Sequence, residues 1–379
     1  MNPATTEFVR QRFTEYYRKA MLVSPSSLAQ REWGFVLFNP GATEMRMRRH
    51  IAFTDRAELF DYIKNLVPSH IYYSTAYYEK PDAPTMAEKG WCGADLIFDL
   101  DADHIVKGPY DQMLSRVKTE TEKLLAMLTD ELGVDPKQIE LVFSGGRGYH
   151  VHVHDLAFRG WGSAERRELI DYICGIGIDP AVLLSIPQTR SSPGWPGRFR
   201  EALIDYLTWI GRFSEEEAMT RLTTLEGIGK ESAAGFLKKR DEMIAGLRGS
   251  AQIDPVILKD RVIKAVVHET EGEFRTRLND RAALADEPVT TDTKRLIRMP
   301  TSLHGGSGMR VQPLEVRDLS GFDPLIDAVV FATREVRVDS RFPLAMPMLG
   351  STYQIQKGIS TVPEAVAVFL CCRGIAEIA

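Results

Sequence analysis

The sequence LIFDLDAD, residues 96–103, joins a short apolar run to acids at alternating positions. Such a run is typical of a buried β-strand, whose side chains alternate between two faces. Asp99 and Asp101 therefore leave the same face, and Asp103 shares their parity at the point where a turn is expected. Two carboxylates held this close repel unless a divalent cation neutralises them, and hard oxygen ligands suit Mg²⁺ or Mn²⁺. The segment predicts a metal site of the kind that two-metal phosphoryl transfer requires.

The acidic motif alone does not choose a reaction. A solvated strand end can carry the same acids, and glycosyltransferases use a similar pair of aspartates to hold the metal of a nucleotide sugar. A metal-dependent nuclease and a non-catalytic subunit that binds single-stranded nucleic acid are two further interpretations.

The pattern around this strand predicts an α/β chain of the α+β type. Strands are expected at 48–53, 70–78, 94–99, 139–143 and 149–154, and helices at 56–66 and 111–132. Residues 160–250 have a helical pattern with a capping box at Ser214 and Glu217, and mixed character returns near Asp254. We expect a catalytic αβ core in two parts, 1–159 and 252–379, with a mostly helical subdomain, 160–251, inserted between them.

Composition limits the class of protein. The 379 residues are 44% hydrophobic and 26% charged, which excludes a disordered or fibrous chain. The four cysteines form no CxxC pair, which indicates a reducing compartment. With neither a signal-peptide pattern nor an apolar run of membrane-spanning length, we expect a soluble, cytoplasmic protein. The net charge of −5 by itself speaks against binding a polyanion over the whole surface.

A glycine-rich turn, SGGRGYH (residues 144–150), separates two predicted strands. Its glycines allow positive φ and present main-chain N–H groups to an anion. Ser144 adds a hydroxyl, Arg147 a planar fork suited to phosphate, and His150 begins the next strand. A tight hairpin with an incidental arginine is the alternative. The turn is not a Walker A loop, because no GK[ST] follows.

A basic segment, DTKRLIRMPTSLHGGSGMRV (residues 292–311), contains Arg298 and His304 beside a second glycine-rich turn. Asp286 and Asp292 are both candidates for a third metal-binding carboxylate. A solvated charge run is the alternative.

Three other segments carry weaker signals. Residues 225–237 resemble a helix-hairpin-helix turn that contacts DNA, but a plain interhelical loop is favoured. Residues 189–198 have the composition of a flexible linker, and 362–378 are expected to form an apolar helix that packs on the core or contacts a subunit.

Together these motifs resemble the small, catalytic subunit of archaeal and eukaryotic-type DNA primase. The resemblance rests on five segments in the family's order between residues 31 and 313: REWGF (31–35), RRHIAF (48–53), FDLDAD (98–103), SGGRGYHVHV (144–153) and RLIRMPTSLHGGSG (295–308). It implies a primase-polymerase fold with a helical subdomain and the template-directed synthesis of short primers from nucleoside triphosphates. It further implies a single-stranded DNA template and a large subunit that carries an iron–sulfur cluster and forms a heterodimer with this chain. The related bacterial repair and end-joining polymerases share the core, but RRHIAF and SLHGGSG are closer to the primases.

The resemblance also assigns roles to residues. Asp99, Asp101 and Asp286 match the three metal-binding aspartates, and the family's spacing to His304 favours Asp286 over Asp292. The positions that match contacts to the incoming nucleotide are Ser144, Arg147, His150, Arg298 and His304, with Arg49 near the nucleotide and the primer terminus.

One departure from the family pattern concerns zinc. Many members carry a Cys/His zinc knuckle soon after the acidic strand, but residues 104–132 contain no cysteine and one histidine. A structural zinc needs four N or S ligands, so we predict no zinc site there.

Few basic residues lie in the segments that resemble the family. We therefore also expect this chain alone to bind template weakly.

Overall fold

The computed structural model of the chain describes residues 1–39, 46–105, 107–186, 189, 192–249 and 255–379, without the side chains at positions 104 and 255. Its strands are β1 Trp33–Leu37, β2 Met47–Ile51, β3 Pro68–Ser74, β4 Ala76–Tyr78, β5 Trp91–Ala94, β6 Leu96–Asp101, β7 Ile139–Phe143, β8 Gly148–Val153, β9 Leu296–Arg298, β10 Gln312–Leu314, β11 Glu335–Ser340, β12 Leu344–Met348, β13 Ser351–Ile355, β14 Gly358–Pro363 and β15 Ala376–Ile378.

Its helices are α1 Pro3–Lys19, α2 Arg56–Leu66, α3 Met86–Lys89, α4 Ala102–Ile105, α5 Tyr110–Ala126, α6 Leu156–Arg159, α7 Ser163–Cys174, α8 Pro180–Ser185, α9 Gly194–Ile210, α10 Glu215–Thr223, α11 Lys230–Gly249, α12 Pro255–Lys259, α13 Arg261–His268, α14 Glu273–Asn279, α15 Glu287–Thr291, α16 Pro324–Asp327 and α17 Glu364–Cys372. None of the helices within these described ranges has the length and apolar character needed to cross a bilayer.

The chain forms two compact units. One comprises residues 1–122, 134–170 and 284–379, and the other comprises 123–133 and 171–283. The first unit is mixed α/β and the second is helical, so the predicted fold class is confirmed. The proposed domain limits at 159/160 and 251/252 remain a prediction, and the second of them lies outside the described residues.

Two four-stranded antiparallel sheets organise the first unit. Their strand orders are β2-β1-β3-β9 and β10-β7-β8-β6. The inner strands are largely buried. In β8 every residue is buried, and the apolar Tyr149, Val151 and Val153 alternate with His150 and His152. Aromatic rings of Trp33, Phe35 and Tyr73 pack with α1 to form the core under the first sheet. The second sheet places the acidic end of β6 beside the start of β8.

The second unit is built around α9, whose buried face includes Phe199, Leu203 and Leu207. The predicted capping box at Ser214 and Glu217 begins α10. The interhelical loop expected at 225–237 is shorter in the structure: residues 225–229 form the turn between α10 and α11, with Leu225 and Ile228 buried, and residues 230–237 belong to α11.

Several expected elements have other limits or another structure. The strand expected at 70–78 is two strands, β3 and β4, broken at Thr75. The helix expected at 111–132 changes to π geometry over Met127–Glu131. The expected linker 189–198 is helical from Gly194, while positions 190 and 191 lie outside the described residues.

The apolar helix expected at 362–378 is wrong at both ends. Strand β14 runs to Pro363, α17 covers Glu364–Cys372, and β15 begins at Ala376. Gly374 allows this return, since its φ of +68° lies in the left-handed region. The mixed character expected from Asp254 is also wrong, because α12, α13 and α14 continue the helical pattern to Asn279.

Candidate active site

Two of the predicted acids lie at the end of β6, where this strand pairs with β8. Asp99 lies opposite His150 and Asp101 lies opposite Gly148 in the antiparallel register. Asp286, immediately before α15, donates a main-chain hydrogen bond of 2.8 Å to the carbonyl oxygen of Asp99. The fold therefore brings together two acidic segments that are far apart in the sequence.

The carboxylate of Asp99 lies where a negative charge is disfavoured. Burial, then the charges of Asp101 and Asp286, raise the pKa of Asp99 to about 7, while Arg298 and Arg295 act in the opposite direction. The two arginines do not compensate the three carboxylates fully. An excess of negative charge carried by oxygen donors fits a divalent cation such as Mg²⁺ or Mn²⁺.

The other two acids in these segments make different contacts. The exposed side chain of Asp292 accepts a hydrogen bond of 2.9 Å from the N–H of Lys294. Asp103 lies in α4, where its side chain forms an ion pair with Arg147. Its N–H donates to the carboxylate of Asp101 at 3.0 Å, so the strand alternation ends at Asp101. Arg147 is thus held next to the acidic strand.

The glycine-rich turn between β7 and β8 has the tight geometry that its sequence requires. The N–H of Ser144 donates to the carbonyl of Gly148 at 2.9 Å, and its Oγ accepts from the N–H of Gly146 at 3.2 Å. Gly145 has a φ of +74°. A Cβ at Gly148 would lie 2.1 Å from the carbonyl oxygen of Leu100, so only glycine permits this approach of β8 to β6.

The second glycine-rich turn packs directly on the first. The hydroxyl of Ser307 donates to the carbonyl oxygen of Gly145. The Nδ1 of His304 accepts from the N–H of Gly306 at 3.1 Å, which assigns the ring proton to Nε2. A Cβ at Gly146 would lie 3.1 Å from this Nε2. Burial keeps the pKa of His304 well below its ordinary value, so a neutral imidazole directs an N–H donor toward the first turn.

His150 is buried on β8, directly opposite Asp99 of β6. Its Nε2 lies 3.7 Å from a carboxylate oxygen of Asp99. Burial, followed by the neighbouring His152, keeps the pKa of His150 well below its ordinary value. Within the described part of the chain, Nδ1 of His150 has no hydrogen-bond partner. The ring is therefore neutral, and this Nδ1 is buried without a partner among the described residues.

Arg298 is fixed by a residue that sequence reasoning missed. In the pairing of β9 with β3, Arg298 lies opposite Tyr72 and its guanidinium lies 5.0 Å from that ring's centroid. Its Nη1 donates to Nδ1 of His70 at 2.7 Å. Burial and the charge of Arg298 lower the pKa of His70 to about 3, so His70 is a neutral acceptor. The sequence predicted a strand at 70–78, but no local signal indicated that His70 would contact Arg298.

Arg49, the last predicted residue, is on the edge strand β2. Its Nε lies 3.1 Å from the carboxylate of Glu32, and its side chain is 44% exposed. Glu32 is buried and also forms an ion pair of 3.2 Å with Lys89. The guanidinium of Arg49 is therefore held by Glu32 while the side chain stays partly exposed. Arg49 lies on the same sheet as Arg298.

Comparison with known proteins identifies the family. Residues 98–316, more than half of the chain, match the family model described as DNA primase small subunit. The chain belongs to this primase small subunit family. It is 84% identical over 379 residues to the DNA primase small subunit PriS of Methanoregula boonei, with 100% of both chains covered. It is 56% identical to the PriS protein of Methanosphaerula palustris, with 100% of this chain and 99% of the relative covered. It is 51% identical over 385 residues to that of Methanospirillum hungatei, with 100% and 98% covered.

As a primase small subunit, the chain is the catalytic subunit of a DNA primase and a nucleotidyltransferase that depends on divalent metal. The matched range contains both glycine-rich turns and the three candidate carboxylates.

Two buried arginines outside the predicted set hold the residues that lead into the acidic strand β6. Arg31 is fully buried and binds Asp95, the residue before β6, at 2.6 Å. Arg166 donates to the main-chain oxygens of Ala94 and Asp95 at 2.9 Å.

Proposed function

We propose that Asp99, Asp101 and Asp286 hold the divalent cations of primer synthesis, Mg²⁺ or Mn²⁺. The environment of Asp99 supports this proposal, because burial and then the neighbouring charges of Asp101 and Asp286 raise its pKa, and a bound cation would offset both effects. Bound cations would activate the attacking ribose hydroxyl and neutralise the pyrophosphate leaving group. Asp292 makes its contacts elsewhere and is exposed, which supports Asp286 as the third ligand.

We propose that the two glycine-rich turns and Arg298 bind the triphosphate of the incoming nucleotide. The hydrogen bond from Ser307 to Gly145 and the close packing of His304 against Gly145 and Gly146 support the two turns as one surface. Arg298 presents a guanidinium fixed by His70, which reduces the conformational entropy lost when it binds phosphate. Arg147 would exchange its exposed partner, Asp103, for a phosphate oxygen.

The remaining nucleotide contacts follow from the same surface. His150 and His304 are neutral and can donate or accept hydrogen bonds without adding charge. Ser144 is buried at the base of the first turn and orders its N–H groups. We propose that Arg49 contacts the nucleotide or the primer terminus, because its guanidinium is anchored by Glu32 and remains partly exposed. No side chain is required as a general base.

Substrates and partners are proposed from the family. We propose single-stranded DNA as template, nucleoside triphosphates as substrates, and a heterodimer with a large primase subunit. Template contacts to phosphates are salt-sensitive, and a chain of net charge −5 should bind template weakly without its partner. The template and the nucleotides are found in the same compartment as the chromosome. We therefore propose that the chain is located there, which in a cell without a nucleus is the cytoplasm. We propose residues 160–251 as a helical insertion, which the helical character of α8 to α11 supports.

Incorporation of labelled nucleotides on a single-stranded template tests the proposed site. Asp101→Ala should abolish primer synthesis with either Mg²⁺ or Mn²⁺, and Asp339→Ala, which removes an exposed acid from strand β11, should not. Synthesis without any added primer distinguishes a primase from a repair polymerase that only extends. Full activity of Asp101→Ala, with an unchanged circular dichroism spectrum, would overturn the assignment of the carboxylates.

A further inference from the structure

A second group of metal-ligand side chains lies on the same sheet, at the opposite end of β8 from the glycine-rich turn. Glu140 on β7 and His152 on β8 are direct cross-strand partners, and His154 follows two residues later on the same face. One ring nitrogen from each histidine and one carboxylate oxygen of Glu140 lie within 4.8 Å of one another. His154 Nε2 and Glu140 Oε2 are 3.0 Å apart. Three ligand atoms this close can surround a single ion.

His152 provides an independent observation. Its side chain has no exposed surface, and its Nε2 is without a hydrogen-bond partner among the described residues. The other ring nitrogen, Nδ1, lies 3.5 Å from the hydroxyl of Tyr73, whose ring stacks on the imidazole with 19° between the planes. A buried imidazole nitrogen without a partner is costly, and a metal ion would satisfy it.

The ring of His154 is oriented by two carboxylates. Its Nδ1 faces a carboxylate oxygen of Asp95 at 3.4 Å, while Nε2 faces Glu140. Asp95 is itself held by Arg31 at 2.6 Å and by the hydroxyl of Tyr77 at 2.7 Å. Histidines that bind metals commonly have the second ring nitrogen fixed by a carboxylate or another polar group. Here Asp95 and Tyr73 occupy those positions for the two histidines.

We propose that Glu140, His152 and His154 bind a divalent transition-metal ion of the zinc class, separately from the cations at the catalytic carboxylates. Two imidazoles and one carboxylate suit Zn²⁺, with a water molecule as a fourth ligand, whereas Mg²⁺ prefers oxygen donors alone. The side chain of Glu140 is 36% exposed and that of His154 is 29% exposed, so an ion can enter from solvent. The site lies outside residues 104–132, where the family's zinc knuckle is missing.

The position of this site indicates a structural role. The ion would join β7 to β8, the two strands that carry the glycine-rich turn of residues 144–148. His150 lies between the two sites on β8, with its ring centroid 6.2 Å from that of His152. Metal binding would therefore restrict the separation of the strands that position Ser144 and Arg147.

Metal binding by the whole chain tests the proposal without any measurement of activity. Protein freed of metal is titrated with Zn²⁺ in equilibrium dialysis, and with Co²⁺ to record the visible absorption of a four-coordinate site. We expect one tightly bound Zn²⁺ per chain. Glu140→Gln, which keeps the shape of a partly exposed side chain, and His154→Gln should each weaken binding by at least about tenfold.

The control separates this site from the catalytic one. The double variant Asp99→Asn, Asp101→Asn should still bind one Zn²⁺ with the same Co²⁺ spectrum. His152→Gln should lose the ion. If His152→Gln does not fold, Tyr73→Phe is the milder variant: it removes the hydroxyl beside Nδ1 of His152 and should weaken Zn²⁺ binding. Zn²⁺ binding that is unaffected by Glu140→Gln and His154→Gln would overturn the proposal. So would binding lost only in the aspartate double variant, or no bound Zn²⁺ at all, in which case His154 simply bridges Asp95 and Glu140 as a protonated imidazole.

Discussion

The main-chain N–H of Asp286 donates a hydrogen bond to the carbonyl oxygen of Asp99, with a distance of 2.8 Å. This bond attaches the segment before α15 to the end of β6. It places a third acid near Asp99 and Asp101, and the effect appears in the raised pKa of Asp99. The location of Asp286 is thus determined by main-chain geometry, which a side-chain substitution leaves intact.

Asp286→Asn should reduce primer synthesis strongly without unfolding the chain, because it removes one carboxylate and keeps the main-chain bond to Asp99. We expect kcat to fall on the order of 100-fold, the usual scale for losing one electrostatic contact to a reacting centre. Asp292→Asn is the matched control, since that side chain is exposed and contacts Lys294. Equal effects of the two substitutions in a nucleotide incorporation assay would contradict the assignment of the third ligand.

His70 is predicted to act as a positioning residue for Arg298. His70→Ala removes the acceptor 2.7 Å from Nη1 and frees the guanidinium. We expect the KM for nucleoside triphosphate to rise on the order of tenfold, with a smaller change in kcat, because a charge-assisted hydrogen bond is lost. Arg298→Lys should have a similar effect.

The double variant decides whether the two residues act together. If His70 works through Arg298, the effect of His70→Ala should nearly disappear in the Arg298→Lys background. Additive effects on KM would show that His70 has a separate structural role.

Gly148→Ala should destabilise the chain, because the new Cβ would lie 2.1 Å from the carbonyl oxygen of Leu100 and would push β8 away from β6. We expect a loss of at least about 2 kcal/mol in the free energy of unfolding, measured from the denaturant midpoint of the first unit. Gly160→Ala is the control, since a Cβ at that position would meet no atom within 4 Å and its φ is −84°. An unchanged midpoint for Gly148→Ala would mean that the strands can separate at little cost.

Glu32 should make stability depend on pH. Burial would raise its pKa, but the ion pairs with Arg49 and Lys89 outweigh burial and hold the pKa of Glu32 below its ordinary value. A carboxylate of this kind adds stability above its unfolded pKa of about 4.3, and that stability is lost as the pH falls through the lower folded-state pKa. Thermal unfolding between pH 7 and pH 3 should therefore show this loss on the acid side in the unsubstituted chain.

Glu32→Gln should remove that acid dependence and also lower stability at pH 7. Lys89 is 1% exposed and would be left buried without its counter-charge, which costs roughly 3 kcal/mol or more. Glu335→Gln, at an exposed position of β11, is the control and should change neither quantity. A parallel pH profile for Glu32→Gln and the unsubstituted chain would contradict the role of this buried ion pair.

Local patterns predicted the parts of the site that depend on neighbours in sequence. The alternation in LIFDLDAD predicted that Asp99 and Asp101 share a face of one strand, and the glycines of residues 144–148 predicted the tight turn. The helix α2 has the expected limits, because its apolar period and its cap at Asp55 are both local. Two predicted elements were too long because the main chain changes direction within them. The strand expected at 70–78 is broken at Thr75, and the helix expected at 362–378 ends before the left-handed Gly374.

The sequence by itself determined the family, the acidic strand and the two glycine-rich turns, since each rests on residue types at fixed short spacings. Only the tertiary structure decided which distant residues meet: Asp286 with Asp99, His70 with Arg298, Ser307 with Gly145, and Glu140 with His152 and His154. Such contacts depend on strand register and on the packing of one sheet against another. Register is set by the burial of whole strands, which is a property of the folded chain and not of any short segment.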